Sequence, residues 1–409
     1  MAKINPEDII VTDFAVREHR SLWGDAWRRL ISSSTARLGM IIVILFISSA
    51  TLSHYFWDYN PKADLDYSLK LKAPNFTTSE EIPSIHPFGT DKLGRDIFRR
   101  VVHGGWNSLR VGIVAVSISL FFGGVIGLLS GFYENVTMTK VERMVLFGIT
   151  GLLVGSLSAW IAEQYFQLIL YLGLGLVAGY YKDLFSGKFL RILVFGILGG
   201  LVGALPALLV GPTVAAVCGI WGLLSGILLS RGLDGKFFSN FMMRLMDIIL
   251  SFPGYLLAIA IVAFLGPGLG KGMIAIGVVG IPVYARLTRS AVLSVVHKEY
   301  ILAAQAVGEA HGRIILRHIT PNILSPIIVQ TTMGLASAIL SAAALGFLGL
   351  GAIPPEPEWG AMLGDSYRYL TSGAWWAVLF PGLAIMLSVL GFNLLGDGLR
   401  DALDPKLRT

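Results

Sequence analysis

Two short strings come nearest to a nucleotide-phosphate loop, which needs G-x-x-x-x-G-K-[ST] so that backbone N–H groups can surround the phosphates. They are Gly270-Lys271-Gly272 and Gly235-Lys236-Phe237, and both lack the earlier glycine and the hydroxyl residue. The seven histidines form no cluster with metal-ligand spacing, and Cys218 is the only cysteine. We therefore expect no catalytic residue, no metal, no bound cofactor and no internal disulfide in this chain.

Asp247, Ser251 and Pro253 are the candidates for lining a pathway through a membrane. Arg244 lies one helical turn before Asp247, and an i, i+3 pair at a membrane surface favours a structural role for the carboxylate. Pro253 predicts a kink in the helix that carries these residues. An ion-coupled transporter would need acidic residues at mid-membrane. Asp247 and Glu163 lie at predicted helix ends, so this class is the less favoured alternative.

These polar residues stand out because the chain as a whole carries few charges. Of 409 residues, 54% are apolar and 14% charged, against about 25% charged in soluble proteins. An all-α membrane protein is predicted, because each charge-free run approaches the roughly 20 residues of a spanning helix. Pro206, Gly211 and Pro212 break the longest run into two, which gives ten predicted crossings. The runs are Gly39–Trp57, Val111–Tyr133, Met144–Ala162, Gln164–Tyr181, Ile192–Ser230, Ile248–Gly270, Gly272–Ala285, Ile319–Pro355 and Tyr369–Gly396.

Lysine and arginine positions predict the orientation, since cytoplasmic loops are enriched in both. The basic N-terminal segment, the stretch Arg286–Arg317 and the C-terminal tail are expected in the cytoplasm. Pro61–Asn107 and Gly351–Ala374 are then external. The basic residues that give the net charge of +6 flank apolar runs, so they favour a lipid surface and not nucleic acid as the partner. The first apolar run starts far from the N-terminus and lacks a small-residue cleavage site, so no cleavable signal peptide is expected.

The predicted external segment contains His86-Pro-Phe-Gly-Thr-Asp-Lys-Leu-Gly-Arg-Asp96. Pro87 and Gly89 predict a turn. Asp91 is expected to cap a short helix that follows it. Arg99 and Arg100 are expected to reach for the membrane interface. The predicted functional positions of this signature loop, residues 86–96, are Gly89, Asp91, Gly94, Arg95 and Asp96.

The predicted cytoplasmic stretch contains Glu299-Tyr-Ile-Leu-Ala-Ala-Gln-Ala-Val-Gly308, followed by a basic segment from Arg313. Small Ala303 and Ala304, then the break at Gly308, predict a helix-turn-helix on the cytoplasmic face. Its small side chains would let another protein approach closely. His297, His311 and His318 lie in the same stretch, where solvation or contact with a partner is a better interpretation than metal binding.

Together these segments resemble the permease subunits of the dipeptide/oligopeptide ABC importer family, of the type whose external loop carries HPxGTDxxGRD. The resemblance covers residues of about 20–133 and 235–408. It implies the six-helix type I (MetI-like) core and a cytoplasmic EAA loop whose coupling helix binds an ATPase subunit. Further matching strings are Arg244-Leu-Met-Asp-Ile-Ile-Leu-Ser-Phe-Pro253, Phe347-Leu-Gly-Leu-Gly351, Pro354-Pro355, Trp359-Gly360 and Phe392-Asn-Leu-Leu-Gly-Asp-Gly-Leu-Arg-Asp-Ala-Leu-Asp-Pro405.

The resemblance implies roles and partners. Glu299, Ala303, Ala304, Gly308 and Arg313 would form the coupling surface, although Leu302 replaces the usual glutamate and Thr320 the usual leucine. The expected partners are a second permease, one or two ATP-binding subunits that carry ATP and Mg²⁺, an extracytoplasmic binding protein and the bilayer. The expected location is the cytoplasmic (inner) membrane of a prokaryote. The cargo would be a di- or oligopeptide, with nickel or an oligosaccharide as alternatives.

About 100 residues, 134–234, have no counterpart in this resemblance. They must cross the membrane an even number of times if the EAA loop is to face the ATPase, and four crossings satisfy this. Phe147–Leu157 resembles Phe195–Leu205, which suggests a duplication. Glycines four residues apart favour close packing within the insert or against the core; docking of an additional subunit or lipid is the alternative. The predicted divisions are 1–38, 39–133 with external loop 58–108, 134–234, 235–397 with coupling loop 286–325, and 398–409.

Overall fold

The computed structural model describes residues 22–57, 59–60, 64–78, 84–162, 165–181, 188–207, 215–220, 222–224 and 235–404. Within them the chain is helical, apart from connecting segments and two isolated bridges, Asn75 with His86 and Thr90 with Asp96. The basic residues before position 22, Glu163, the expected break residues Gly211 and Pro212, and the end of the tail lie outside the described residues.

Thirteen helices are used below. They are α1 Leu22–Ser32, α2 Ser34–Phe56, α3 Ile97–Tyr133, α4 Lys140–Ala162, α5 Phe166–Tyr181, α6 Lys188–Ala207, α7 Gly235–Ser251, α8 Gly254–Leu265, α9 Leu269–Val295, α10 Glu299–Ala306, α11 His311–Phe347, α12 Trp359–Ser366 and α13 Trp376–Leu403. Residues 215–220 and 222–224 are also helical. Helix α11 contains a π-helical turn, Ile314–Ile319, that ends two residues before Pro321, whose missing N–H removes one α-helical hydrogen bond.

Five described helices, α2, α3, α9, α11 and α13, are long and apolar enough to cross a membrane. A sixth span is possible if α7 and α8 form one, although they meet at a bend of 90°. The all-helical membrane class is therefore confirmed, whereas the count of ten crossings stays a prediction. The shortest predicted run, Gly272–Ala285, lies within the 27-residue helix α9.

Pro253 lies at the bend between α7 and α8 and is the N-cap of α8. A proline N–H is absent, and the first N–H groups of a helix have no intrahelical acceptor, so proline is tolerated at this position. The predicted kink is confirmed, and it is a sharp break between two helices.

The chain divides into two compact units. Unit 1 consists of Met1–Phe121, Phe252–Tyr284 and Asn322–Thr409, and unit 2 of Phe122–Ser251 and Ala285–Pro321. In unit 1, α2 packs on α13 at glycines: a Cβ on Gly39 would lie 2.6 Å from the amide nitrogen of Leu395, and one on Gly391 would lie 2.7 Å from Cγ2 of Ile42. Such close backbone approach is typical of helix pairs in lipid.

In unit 2 the inserted helices pack against each other through the glycines noted in the sequence. A Cβ on Gly175 of α5 would overlap the carbonyl oxygen of Phe147 in α4, and one on Gly151 would overlap that of Tyr171. The second half repeats the arrangement, because a Cβ on Gly203 of α6 would overlap the carbonyl oxygen of Cys218. The interpretation of these glycines as internal packing positions is confirmed.

Gly175→Ala is predicted to destabilise the protein, because the added methyl has no room beside the α4 backbone. Gly173, on the same helix, has no neighbour within 4 Å of a Cβ, so Gly173→Ala is the matched control. On helix propensity alone, each change would stabilise by roughly 1 kcal/mol. The apparent melting temperature in detergent should fall for Gly175→Ala and hold or rise for Gly173→Ala. Equal behaviour of the two variants would contradict this packing.

Candidate functional sites: signature loop and coupling segment

The signature loop is folded tightly around two glycines with left-handed backbone angles. Gly89 has φ +72° and Gly94 has φ +76°. A Cβ on Gly94 would overlap the carbonyl of Asp66, and one on Gly89 would lie 2.7 Å from the indole of Trp376. Glycine is therefore required at both positions for two reasons, the backbone angle and the close contact.

Asp91 is the centre of this loop. Its Oδ1 accepts hydrogen bonds from the N–H groups of Leu93 (2.8 Å) and Arg95 (3.0 Å). Its Oδ2 accepts from Arg95 Nε at 2.7 Å and from Arg100 Nη1. The side chains of Asp91, Arg95 and Arg100 are all buried. One carboxylate thus pairs with two buried guanidinium groups and also closes the turn.

Two predictions for this loop are wrong. Asp91 does not cap a helix: residues 91–96 form a turn, and α3 begins only at Ile97. Asp96 takes the capping role, because its Oδ1 accepts from the N–H of Arg99 at 2.9 Å. Arg100 does not reach for the membrane interface either, since it is 4% exposed and paired with Asp91. The local sequence could not show that the arginine and the carboxylate face each other.

Asp96 also pairs with His86 at the start of the loop. Its Oδ2 lies 2.7 Å from His86 Nδ1, and His86 Nε2 lies 2.7 Å from the Ser84 hydroxyl. Because Asp96 caps α3 as well, the same carboxylate joins the beginning of the signature loop to the first turn of that helix. All five predicted loop residues thus have structural partners within this segment.

The loop is joined to the segment 357–376, a connection that the sequence did not reveal. Trp376 Nε1 donates to the carbonyl of Thr90 at 3.2 Å, and Trp359 Nε1 donates to the carbonyl of Val101 at 2.8 Å. Trp376 is 8% exposed, so its indole is buried within the protein. Its neighbour Trp375 is 49% exposed.

Glu358 is a further residue that the sequence analysis missed. Its two oxygens accept from the N–H groups of Gly360 and Ala361, both at 2.8 Å, and so cap α12. Burial raises the pKa of this carboxyl, while the two hydrogen bonds lower it. A glutamate directly before Trp359-Gly360 is the only sequence signal of this cap.

The coupling segment, residues 299–321, begins with α10 and turns at Gly308, as predicted. Gly308 has φ +76°, its N–H donates to Gln305 O at 3.0 Å, and the N–H of Glu309 donates to Ala304 O at 3.1 Å. This pair of bonds is the Schellman motif, which satisfies carbonyls at the end of a helix. No atom lies within 4 Å of a Cβ built on Gly308.

The coupling segment has a distinct exposed face. Ile301 and Ala304 are buried, whereas Ala303 and Glu299 are exposed. Leu302 is 50% exposed, Val307 82% and Leu316 72%. These apolar side chains accompany the exposed Arg313, which lies 3.9 Å from Glu309. Apolar residues this exposed in the described chain mark a contact surface for lipid or protein.

The predicted pathway residues have local partners. Asp247 accepts from Arg286 Nη2 at 2.6 Å, while Arg244 lies 4.0 Å away, so the close partner comes from α9 and not from the preceding turn. The Ser251 hydroxyl donates to the carbonyl of Ile248 at 2.6 Å. Whether these residues line a pathway stays a prediction.

A cavity of about 370 Å³ lies within unit 1, between α3, α8, α9 and α11. Tyr284 donates its hydroxyl to the carbonyl of Gln330 at 3.3 Å, and the Ser119 hydroxyl donates to that of Gly277 at 2.7 Å. No lining residue is ionisable except two tyrosines. The lining residues are Ala115, Val116, Ser119, Gly254, Tyr255, Ala258, Ile276, Val279, Gly280, Val283, Tyr284, Gln330, Gly334, Ser337, Ala338, Ser341 and Leu345.

Asp91→Ala is predicted to destabilise the protein strongly, because it leaves Arg95 and Arg100 buried without their shared carboxylate. Breaking a buried pair in this way costs about 3–5 kcal/mol. Asp365→Ala removes the partner of Lys92, and that pair is roughly one-third exposed, so its loss should cost about 1 kcal/mol or less. Thermal unfolding in detergent would compare the two. A similar loss for both variants would contradict the central role of Asp91.

Comparison with known proteins gives two family matches. Residues 219–409 match the family described as binding-protein-dependent transport system inner membrane component. Residues 21–74 match the N-terminal transmembrane domain of oligopeptide transport permease C. Both the coupling segment and the helix α12 region fall within the first match, whereas residues 75–218 lie outside the two.

Three relatives align along nearly the whole chain. A dipeptide transport system permease protein from Alkalihalophilus pseudofirmus is 37% identical over 95% of this chain and 91% of its own length. A di/tripeptide transport system permease protein from Pseudomonas aeruginosa is 50% identical over 93% and 91%. A glutathione transport system permease protein from Escherichia coli is 34% identical over 95% and 92%. This chain belongs to the dipeptide/oligopeptide permease family of ABC transport systems.

Proposed function

We propose that this chain is a non-catalytic membrane subunit of an importer that moves di- or oligopeptides through the cytoplasmic membrane of a prokaryote. A second permease would complete the pathway. One or two separate subunits would bind Mg²⁺ and hydrolyse ATP, and an extracytoplasmic binding protein would deliver the cargo. The alternating lysine and arginine pattern supports cytoplasmic termini and ten crossings, four of them in the insert.

The observation that carries this proposal is the exposed face of the coupling segment. Leu302, Ala303 and Val307 surround a helix end fixed by the Gly308 turn, and Leu316 follows on α11. A rigid helix with an exposed apolar surface is suited to transmit a push or pull from a bound partner. The segment lies in the part of the chain that matches the binding-protein-dependent family.

Peptide is favoured over nickel as cargo by the character of the unit 1 cavity. Nickel sites use imidazole, carboxylate or thiolate ligands, and no residue lining this cavity carries one. Hydroxyl groups, backbone carbonyls and the Gln330 side chain suit a neutral polar backbone. The names of the relatives point to the same cargo class, since they transport dipeptides, tripeptides or glutathione.

Reconstitution of the complete complex in liposomes would test the cargo. ATP-dependent uptake of a labelled dipeptide is expected, with competition from unlabelled di- and tripeptides. Uptake of nickel or of an oligosaccharide in place of peptide would overturn the cargo assignment. Uptake driven by an ion gradient without any ATP-binding subunit would overturn the transporter class.

Replacing Gly308 with valine is predicted to uncouple transport from ATP hydrolysis, or to prevent assembly with the ATP-binding subunits. A bulky residue at φ +76° strains the turn by roughly 1–2 kcal/mol and adds a side chain to open space that the partner would fill. The measurements are co-purification of the ATP-binding subunits and peptide uptake per ATP hydrolysed.

Gly312→Ala is the matched control, because Gly312 is also open to solvent and lacks the left-handed backbone angle. This variant should assemble and transport normally. A stable, fully coupled complex from Gly308→Val would count heavily against the proposed role of the turn.

Ser341→Trp is predicted to block uptake while leaving assembly with the ATP-binding subunits intact, because the indole would fill the cavity that Ser341 lines. Leu340→Trp is the control, since Leu340 is 47% exposed on the same helix and does not line this cavity. Peptide uptake by both variants, normalised to the amount of assembled complex, gives the comparison. Normal uptake by Ser341→Trp would exclude the cavity from the pathway.

A further inference from the structure

The start of the inserted segment contacts the coupling segment. Both carboxylate oxygens of Glu142, in the first turn of α4, lie 3.0 Å from Nδ1 of His311. His311 is the first residue of α11 and follows the Gly308 turn by three positions. The two residues are 169 positions apart in the chain. Glu142 lies outside both family matches, whereas His311 lies inside one.

Glu142 is held by its own helix end. Its Oε2 accepts from the N–H of Thr139 at 2.8 Å, and its N–H donates to the Thr139 hydroxyl at 3.3 Å. This reciprocal pair is a capping box, which fixes the carboxylate at the N-terminus of α4. The first turn of α4 therefore fixes the position in which the Glu142 carboxylate contacts His311.

His311 is enclosed on its other sides by the end of α3. The ring of the fully buried Phe132 lies 5.4 Å from the imidazole, and that of Tyr133 lies 6.1 Å from it. The Glu142 carboxylate and the Tyr133 ring both face the imidazole. The His311 side chain is 18% exposed and that of Glu142 25%, so water screens their contact only partly.

The residues directly after α3 are also held by contacts with other helices. Glu134, directly after α3, accepts from Arg289 Nη2 of α9 at 2.6 Å, and Ser239 of α7 lies 3.4 Å from the same oxygen. Asn135 lies 3.3 Å from Nε2 of His297, just before α10. The residues that join α3 to the insert thus contact α7, α9 and the residue His297 just before the coupling segment.

We propose that Glu142 is a positioning residue for coupling: through His311, the inserted segment holds the first turn of α11 and thereby the orientation of the α10–Gly308 surface. The inference rests on the proposed function, since it assumes that ATP-binding subunits act on this surface. It assigns to the insert a role in setting how tightly ATP hydrolysis drives transport.

The test compares Glu142→Gln, Glu142→Ala, His311→Gln and the Glu142→Gln/His311→Gln double variant in the whole complex. The readout is the stimulation of ATP hydrolysis by the loaded binding protein, in liposomes. Glu142→Ala and His311→Gln should each reduce stimulation by about threefold or more, with a double variant no worse than one single change, as contacting residues behave. Glu142→Gln keeps the capping box and removes only the negative charge, and it should reduce stimulation to the same extent as Glu142→Ala.

Thr139→Ala is the matched control, because it weakens the α4 cap and leaves the Glu142 carboxylate opposite His311. It should keep most of the stimulation. Wild-type stimulation in the Glu142 variants would overturn the inference, as would an equal loss in Thr139→Ala. The proposed function fails separately, if the wild-type chain co-purifies with no ATP-binding subunit.

Discussion

Every peptide N–H and C=O inside a bilayer needs a partner from the protein, because hydrocarbon supplies none. The long helices satisfy that demand along their own length, but they gain little from hydrophobic association, since lipid tails are as apolar as leucine. Dispersion between closely packed backbones must do more of the work. This explains why glycines lie at the α2–α13 contact and at the α4–α5 contact, where a Cβ would meet backbone or side-chain atoms of the facing helix.

Backbone groups outside regular helices need other hydrogen-bond partners. The signature loop and the coupling segment obtain them in different ways. In the signature loop, Asp91 accepts hydrogen bonds from backbone N–H groups and from two guanidinium groups, and Asp96 pairs with His86. The coupling segment needs only the Schellman bonds at Gly308 and leaves an apolar face exposed. A buried cluster with this many hydrogen bonds is held in one arrangement, whereas an exposed face is available to a partner. The first arrangement suits a fixed structure, and the second suits contact with another protein.

Periodicity and motif order predicted much of this protein because they report local physics. The length of a charge-free run predicts a helix, and a glycine after a short alanine-rich stretch predicts its end, as at Gly308. The sequence did not predict contacts between residues that are far apart in the chain. Asp247 was paired with Arg244 on spacing alone, yet Arg286 is the closer partner. Trp376 is buried against Thr90 and Gly89, a contact between residues nearly 290 positions apart that no local pattern indicates.

The sequence by itself determined the helical membrane class, the break at Pro253, the turn at Gly308 and the family, because each depends on neighbouring residues or on the order of motifs. Only the tertiary structure decided which charges neutralise each other and which residue caps α3. It also brought Glu142 to His311, which no spacing rule connects. Charge pairing depends on distance in space, and a folded chain brings together residues more than a hundred positions apart as readily as residues one turn apart.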